Sequence, residues 1–164
     1  VTPRIRLLPA TLAHLEALER DRAEFAALVG SPAPDGWPEF PEGIAFTRER
    51  LTEHPEQGEW WMQFFLDATD GTLVGSGGFV GPPRDREVEI GYEVAPAHRG
   101  RGYGAAAAAA MVEKARASGE VDAVIAHTLA ADTPSSRLLA RLDFVRVAEL
   151  DSDEDGRIWR WRLS

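Results

Sequence analysis

Between Val88 and Lys114 a one-sided strand runs straight into an alanine-rich helix through the turn Arg99-Gly100-Arg101-Gly102-Tyr103-Gly104. In the strand, expected over Arg86 to Ala95, Val88, Ile90, Tyr92 and Val94 alternate with Glu87, Glu89, Gly91 and Glu93, so one face is apolar and the other mostly charged. In the helix, Ala108, Met111, Val112 and Ala115 share a face, and Gly119 is a natural stop. A helix start leaves backbone N–H groups without partners and carries partial positive charge, while glycine lets a ligand approach the main chain closely. That combination binds phosphate. A surface turn with glycines at positive φ is the plain structural alternative.

The rest of the chain surrounds this unit with mixed elements. Arg4 to Leu8 reads as a strand, and a cap at Thr11 opens one helical pattern through Leu12, Leu15, Leu18, Phe25 and Leu28 that ends before Gly30. Ser31 to Gly43 carries four prolines and two glycines and is a loop. Thr47 to Thr52 reads as a short helix stopped by His54-Pro55. Glu59 to Asp67 and the run after Asp70-Gly71 form a hairpin. Asp122 to Leu129 is the next strand and Pro134 to Leu142 the next helix. Phe144 to Leu150 and Ile158 to Leu163 close the chain as a hairpin through Asp155-Gly156. The expected class is α/β with a mixed, mostly antiparallel sheet of about seven strands and about four helices, in one domain over residues 1–164.

Composition narrows the chemistry. The 164 residues contain no cysteine, which removes disulfides, thiolate metal sites and a cysteine nucleophile. A formal charge of −9 disfavours nucleic acid and anionic lipid as partners and favours a cationic one. No apolar run approaches the roughly 20 residues needed to span a bilayer, and the first ten residues are too charged for a secretory signal, so a cytoplasmic location is expected. His14, His54, His98 and His127 lack ligand spacing, so no metal is expected. Trp37, Phe40, Trp60 and Trp61 read as core or as the interface of a homodimer, with an acceptor pocket as the alternative.

The glycine turn fits neither of two nucleotide motifs. A Walker loop needs Gly-Lys followed by Ser or Thr, and here Tyr103-Gly104-Ala105 follows instead. A Rossmann fingerprint needs a different glycine spacing and a later acid. Arg99, Gly102 and Gly104 do match motif A of the GCN5-related N-acetyltransferases, which the segment resembles. Asp132 to Phe144 is similar to that family's "Asn-x-x-Ser, helix, Leu-Gly-Phe" block, with Asp132 for Asn and Asp143 for Gly. Asp132 is expected to cap the helix, and Asp143 tolerates the left-handed angle after a helix end. The EIGY run points to the ribosomal-protein alanine acetyltransferase branch.

The resemblance implies an acetyl-CoA-dependent N-acetyltransferase acting on a primary amine, either a protein N-terminus or a small molecule, by direct attack in a ternary complex. By the same resemblance Arg99, Gly100, Arg101, Gly102, Tyr103, Gly104 and Asp132 form the cofactor site, and Val94 and Ala95 supply main-chain contacts near pantetheine and thioester. Val94 N–H is the oxyanion donor. Glu89 matches the glutamate proposed as base, against its reading as part of a solvated charged face. Ser135 matches the serine proposed to protonate the thiolate, against a helix-capping role that Ser135 or Ser136 could fill. Many relatives carry a tyrosine four residues further on, where this chain has Leu139. The rival reading is a catalytically weak acyl-CoA-binding or regulatory module of the same fold.

Overall fold

The computed structural model describes residues 2–164. Strand β1 (Ile5–Pro9) leads into helices α1 (Leu12–Arg20) and α2 (Arg22–Val29). After the loop comes α3 (Glu42–Glu53), a 3-10 turn (Pro55–Trp60), and strands β2 (Met62–Asp67), β3 (Leu73–Phe79) and β4 (Glu87–Val94). A 3-10 turn (Pro96–His98) and α4 (Tyr103–Ala117) follow, then β5 (Ala123–Leu129), α5 (Pro134–Arg141), β6 (Val145–Ser152) and β7 (Gly156–Leu163). The strands form one sheet in the order β1-β2-β3-β4-β5-β7-β6, in which β4 and β5 alone run parallel.

The mixed, mostly antiparallel sheet is the expected class, and the helices depart from expectation in two places. The pattern expected as one helix from Thr11 to Val29 is two, because Asp21 leaves helical angles at φ −151° and its carboxylate accepts from the amides of Ala23 and Glu24. A strong N-cap inside an apolar period ends one helix by starting another. The third helix begins at Glu42 rather than Thr47, so it takes in the last two residues expected in the proline-rich loop, Glu42 and Gly43. Five α-helices result, where about four were expected. The first hairpin strand also begins later, at Met62, since a 3-10 turn opened by Pro55 absorbs Glu59 and Trp60.

Two apolar cores lie on opposite faces of the sheet. Helix α4 buries Ala107, Ala108, Met111, Val112 and Ala115 against Phe65, Val74, Val88, Ile90 and Val124, as the helical spacing requires. On the other face α1, α2 and α3 close over Phe64, Leu66 and Leu73 with Leu15, Phe25 and Ile44. Small alanines let α4 sit close to the sheet, which fixes where its N-terminus meets the end of β4. No helix is long and apolar enough to cross a membrane among the described residues.

Candidate active site

The parallel ladder between β4 and β5 is half zipped. Glu87 to Ile90 pair with Ala123 to Ala126, and past Ile90 the two strands separate although β4 continues to Val94 and β5 to Leu129. On its other side β4 stays bound to β3 as far as Val94. Val80 N donates to Glu89 O, and Ala95 N donates to Val74 O. Alternation along a strand therefore turns the main chains of Tyr92 and Val94 away from β3 and into the gap beside β5. A gap edged by strand amides and carbonyls accepts an extended, amide-bearing chain as a substitute strand.

The glycine turn closes one end of that gap. Gly100 and Gly102 hold φ of +77° and +87°, a region that favours glycine, and Gly102 is the N-cap of α4 with no side chain bonded across it. The first amides of a 15-residue helix are thus left for a ligand. Gly104 packs under Leu138, where a Cβ would come within 3.1 Å of the Leu138 side chain. The Tyr103 side chain turns away to Asp67, with Oη to Oδ2 at 2.6 Å, so this residue offers the turn its main chain. Arg99 turns back on the fold, its Nε donating to Val94 O at 2.9 Å and its Nη2 lying 3.8 Å from Glu39. Arg101 is exposed beside the turn, and Ala95 is buried at the end of β4.

At the start of α5 two adjacent serines divide two tasks. Thr133 caps the helix and Ser136 completes the capping box, its Oγ accepting from Thr133 N at 2.8 Å. Asp132 does not cap, contrary to expectation: it sits exposed and ion-paired to Arg137 at 2.9 Å, because Thr133 already holds the N-cap geometry. Ser135 is left free of the cap, and its Oγ lies 2.9 Å from Tyr92 Oη. Asp143 takes φ +69°, the left-handed angle expected after the helix.

The charged face of β4 carries a second pair. Glu89 Oε2 lies 3.1 Å from His127 Nδ1 across the last paired rungs of β4 and β5. They line a cavity of about 220 Å³ with Val80, Glu87 and Arg160. Glu87 belongs to an ion cluster with Arg160 and Arg162, a solvated role. Glu93 is half-buried, accepts from Glu39 N at 2.9 Å, and has its carboxyl pushed above the usual range by burial. It anchors the loop rather than facing water freely.

That loop is pinned by Trp37, 2% exposed, whose Nε1 donates to Ser76 Oγ at 2.9 Å. Trp37 is core and Trp60 is partly buried against the core, edge-on to Phe79, whereas Phe40 is exposed. Trp61 lines a cavity of about 230 Å³ with Phe46 and Val80, over a floor of Gly77, Gly78 and Gly91. A Cβ on Gly77 would sit 2.2 Å from Gly91 O, so strand contact demands glycine there, and a Cβ on Gly91 would meet nothing. Gly91 lies on the same face of β4 as Glu89, and Val80 lines both cavities.

Tyr92 is absent from the site expected from the sequence, and His127, able from the sequence to face the cleft but read as structural, is found beside Glu89. Tyr92 sat on the apolar face of its strand and read as core, and it does pack against the α4 core. Glu89 is in register with Ile125, and that parallel register brings His127, two residues further along β5, within reach of it. Among the described residues no group of three or more His, Asp or Glu side chains is placed to hold a metal ion.

A family model described as "Acetyltransferase (GNAT) domain" matches residues 4–145. The chain is 25% identical over 147 residues to the "Uncharacterized N-acetyltransferase YjdG" of Bacillus subtilis (strain 168), covering 88% of each. Among solved structures it is similar to a spermidine N-acetyltransferase from Vibrio cholerae, described as dodecameric, with a TM-score of 0.70 and 14% identity over 98% of this chain and 93% of that one. It is also similar to RimL, described as a ribosomal L7/L12 alpha-N-protein acetyltransferase in complex with coenzyme A. There the TM-score is 0.70 and the identity 16%, with coverage of 98% and 93%.

Proposed function

The chain belongs to the GNAT acetyltransferase family, and from that premise we propose that it moves an acetyl group from acetyl-CoA to a primary amine, a protein N-terminus or a small molecule, by direct attack within a ternary complex. The observation that carries this reading is the meeting of the half-zipped β4–β5 gap with the uncapped N-terminus of α4. The residues there fit a pantetheine diphosphate: strand groups of Tyr92 and Val94 for an amide-bearing arm, and main-chain amides from Gly102 onward for a pyrophosphate. Acetyl-CoA, when bound, supplies an acetyl group activated as a thioester.

We assign the remaining roles to Glu89, Val94 and Ser135. Glu89, oriented by His127, takes the proton from the amine, directly or through water. An α-amine with pKa near 8 costs about 1.4 kcal/mol to deprotonate at pH 7, so a modest base suffices. Val94 N–H would donate to the reacting carbonyl oxygen as negative charge gathers on it. Ser135 would donate to the leaving sulfur. With no cysteine in the chain, no protein thioester enters the path.

The test is release of free thiol from acetyl-CoA across a panel of peptides, polyamines and small amines, beside calorimetric titration of coenzyme A. Binding together with turnover on one amine class is the expected result. Binding with no turnover on any amine would favour an acyl-CoA-binding module of the same fold, and no binding would overturn the proposal.

A further inference from the structure

The start of α5 holds a hydroxyl pair that helix capping does not explain. Ser136 and Thr133 satisfy each other through the capping box, so the neighbouring Ser135 hydroxyl has no role in holding the helix end. Its recorded partner comes from another element 43 residues away, the phenol of Tyr92 on β4 at 2.9 Å. Tyr92 projects from the strand whose main chain edges the gap, and the aliphatic Leu139 fills the core position one turn beyond Ser135. The phenol that meets this serine therefore reaches it from the sheet and not from the helix.

Resting on the assignment of Ser135 to the leaving sulfur, we propose that Tyr92 is a positioning residue that fixes the direction of the Ser135 hydroxyl. The Tyr92 O–H donates to Ser135 Oγ, and this turns the Ser135 hydrogen outward, toward the sulfur that gains negative charge as the carbon–sulfur bond breaks. Tyr92 stays neutral throughout, and the thiolate is finally protonated from water.

A free serine hydroxyl rotates among three wells and can act as acceptor or donor. A donor placed on its oxygen removes the acceptor option on that side and polarises the O–H that remains. Burial raises the Tyr92 phenol above its ordinary range, so at neutral pH the phenol keeps its proton and has it to donate to Ser135. No charged side chain contributes to that shift, which leaves Ser135 as the polar group that Tyr92 answers to.

The test compares single-turnover acetyl transfer and coenzyme A affinity in the wild type, Tyr92→Phe, Ser135→Ala and the double variant. Each single variant is expected to slow transfer about tenfold, as loss of one directed hydrogen bond implies, with coenzyme affinity held within about twofold. The double variant should be no slower than Ser135→Ala alone, because Tyr92 has nothing to orient once the serine hydroxyl is gone. Losses that multiply, or a Tyr92→Phe variant with full rate, would overturn the positioning role while leaving Ser135 in place. Full rate in Ser135→Ala would instead remove the assignment on which the proposal rests.

A second measurement guards against a folding effect at position 92. The chain has two tyrosines, Tyr92 and Tyr103, so uniform 3-fluorotyrosine labelling gives two fluorine resonances, and the Tyr103→Phe variant identifies that of Tyr92. That resonance should shift in Ser135→Ala with the fold intact. An unmoved resonance would show that the two hydroxyls do not communicate and would overturn the proposal.

Discussion

Tyr103, the first residue of α4, donates its phenol hydrogen to Asp67 at the end of β2, 2.6 Å away. The bond ties the N-terminus of α4 to a strand three positions from β5 in the sheet. It lowers the Asp67 carboxyl below the usual carboxylate range, helped by the Thr69 amide, and raises the Tyr103 phenol. A depressed carboxyl contributes stability that is present above its ordinary range and lost as pH falls through the depressed value. A raised phenol contributes stability that is present below its ordinary range and lost as pH rises through the raised value. The melting-temperature deficit of Tyr103→Phe should therefore be a few degrees and flat through neutral pH, shrinking at both extremes. A deficit that grows in acid would contradict the latch.

Glu93 carries the opposite sign. Burial raises its carboxyl, so its charged form is the less favoured one in the fold, and holding that charge at neutral pH costs stability. A glutamine side-chain oxygen can accept the Glu39 amide equally well. Glu93→Gln should raise the melting temperature slightly at neutral pH, with the gain vanishing as pH falls through the raised carboxyl value. A lower melting temperature would mean that the charge is used, with Arg99 the nearest cation to use it.

Gly102→Val is expected to weaken coenzyme A binding at least tenfold in calorimetry, with the circular-dichroism spectrum retained. A β-branched residue at φ +87° is strained by about 1–2 kcal/mol, and its Cβ would lie 3.2 Å from Pro3. The turn must shift to relieve both, and the amides move with it. Unchanged affinity would remove this turn from the coenzyme site.

Glu89→Gln should lower the acetylation rate at neutral pH by roughly 10²-fold while coenzyme affinity stays within a factor of two. His127→Asn should act in the same direction and more weakly, since it loosens the carboxylate without removing it. A pH–rate profile identical to wild type in Glu89→Gln would take this residue out of the mechanism.

The strand-turn-helix unit was legible because each of its signals is local: alternation along β4, glycines at positive φ, and an apolar face on α4 at helical spacing. Asp143 was legible for the same reason. The split at Asp21 was not, because the apolar period runs through it and only the side chain's bonds to Ala23 and Glu24 show that the helix restarts. At α5 the sequence reading expected Asp132 as the cap, with Ser135 or Ser136 as alternatives, and Thr133 takes the place because its backbone holds extended angles. The pairs Glu89–His127 and Tyr92–Ser135 join residues 38 and 43 positions apart, so they follow from register and from the seat of α5, which no local pattern encodes.

The half-zipped ladder has a mechanical consequence. Four residue pairs stitch β1 to β4 onto β5, β7 and β6, so the sheet is two plates meeting along a short seam. Strand ends without lateral partners exchange their amide hydrogens readily. A molecule lying in the gap supplies the missing rungs and lengthens the seam, so loading one side of the molecule stiffens both plates at once.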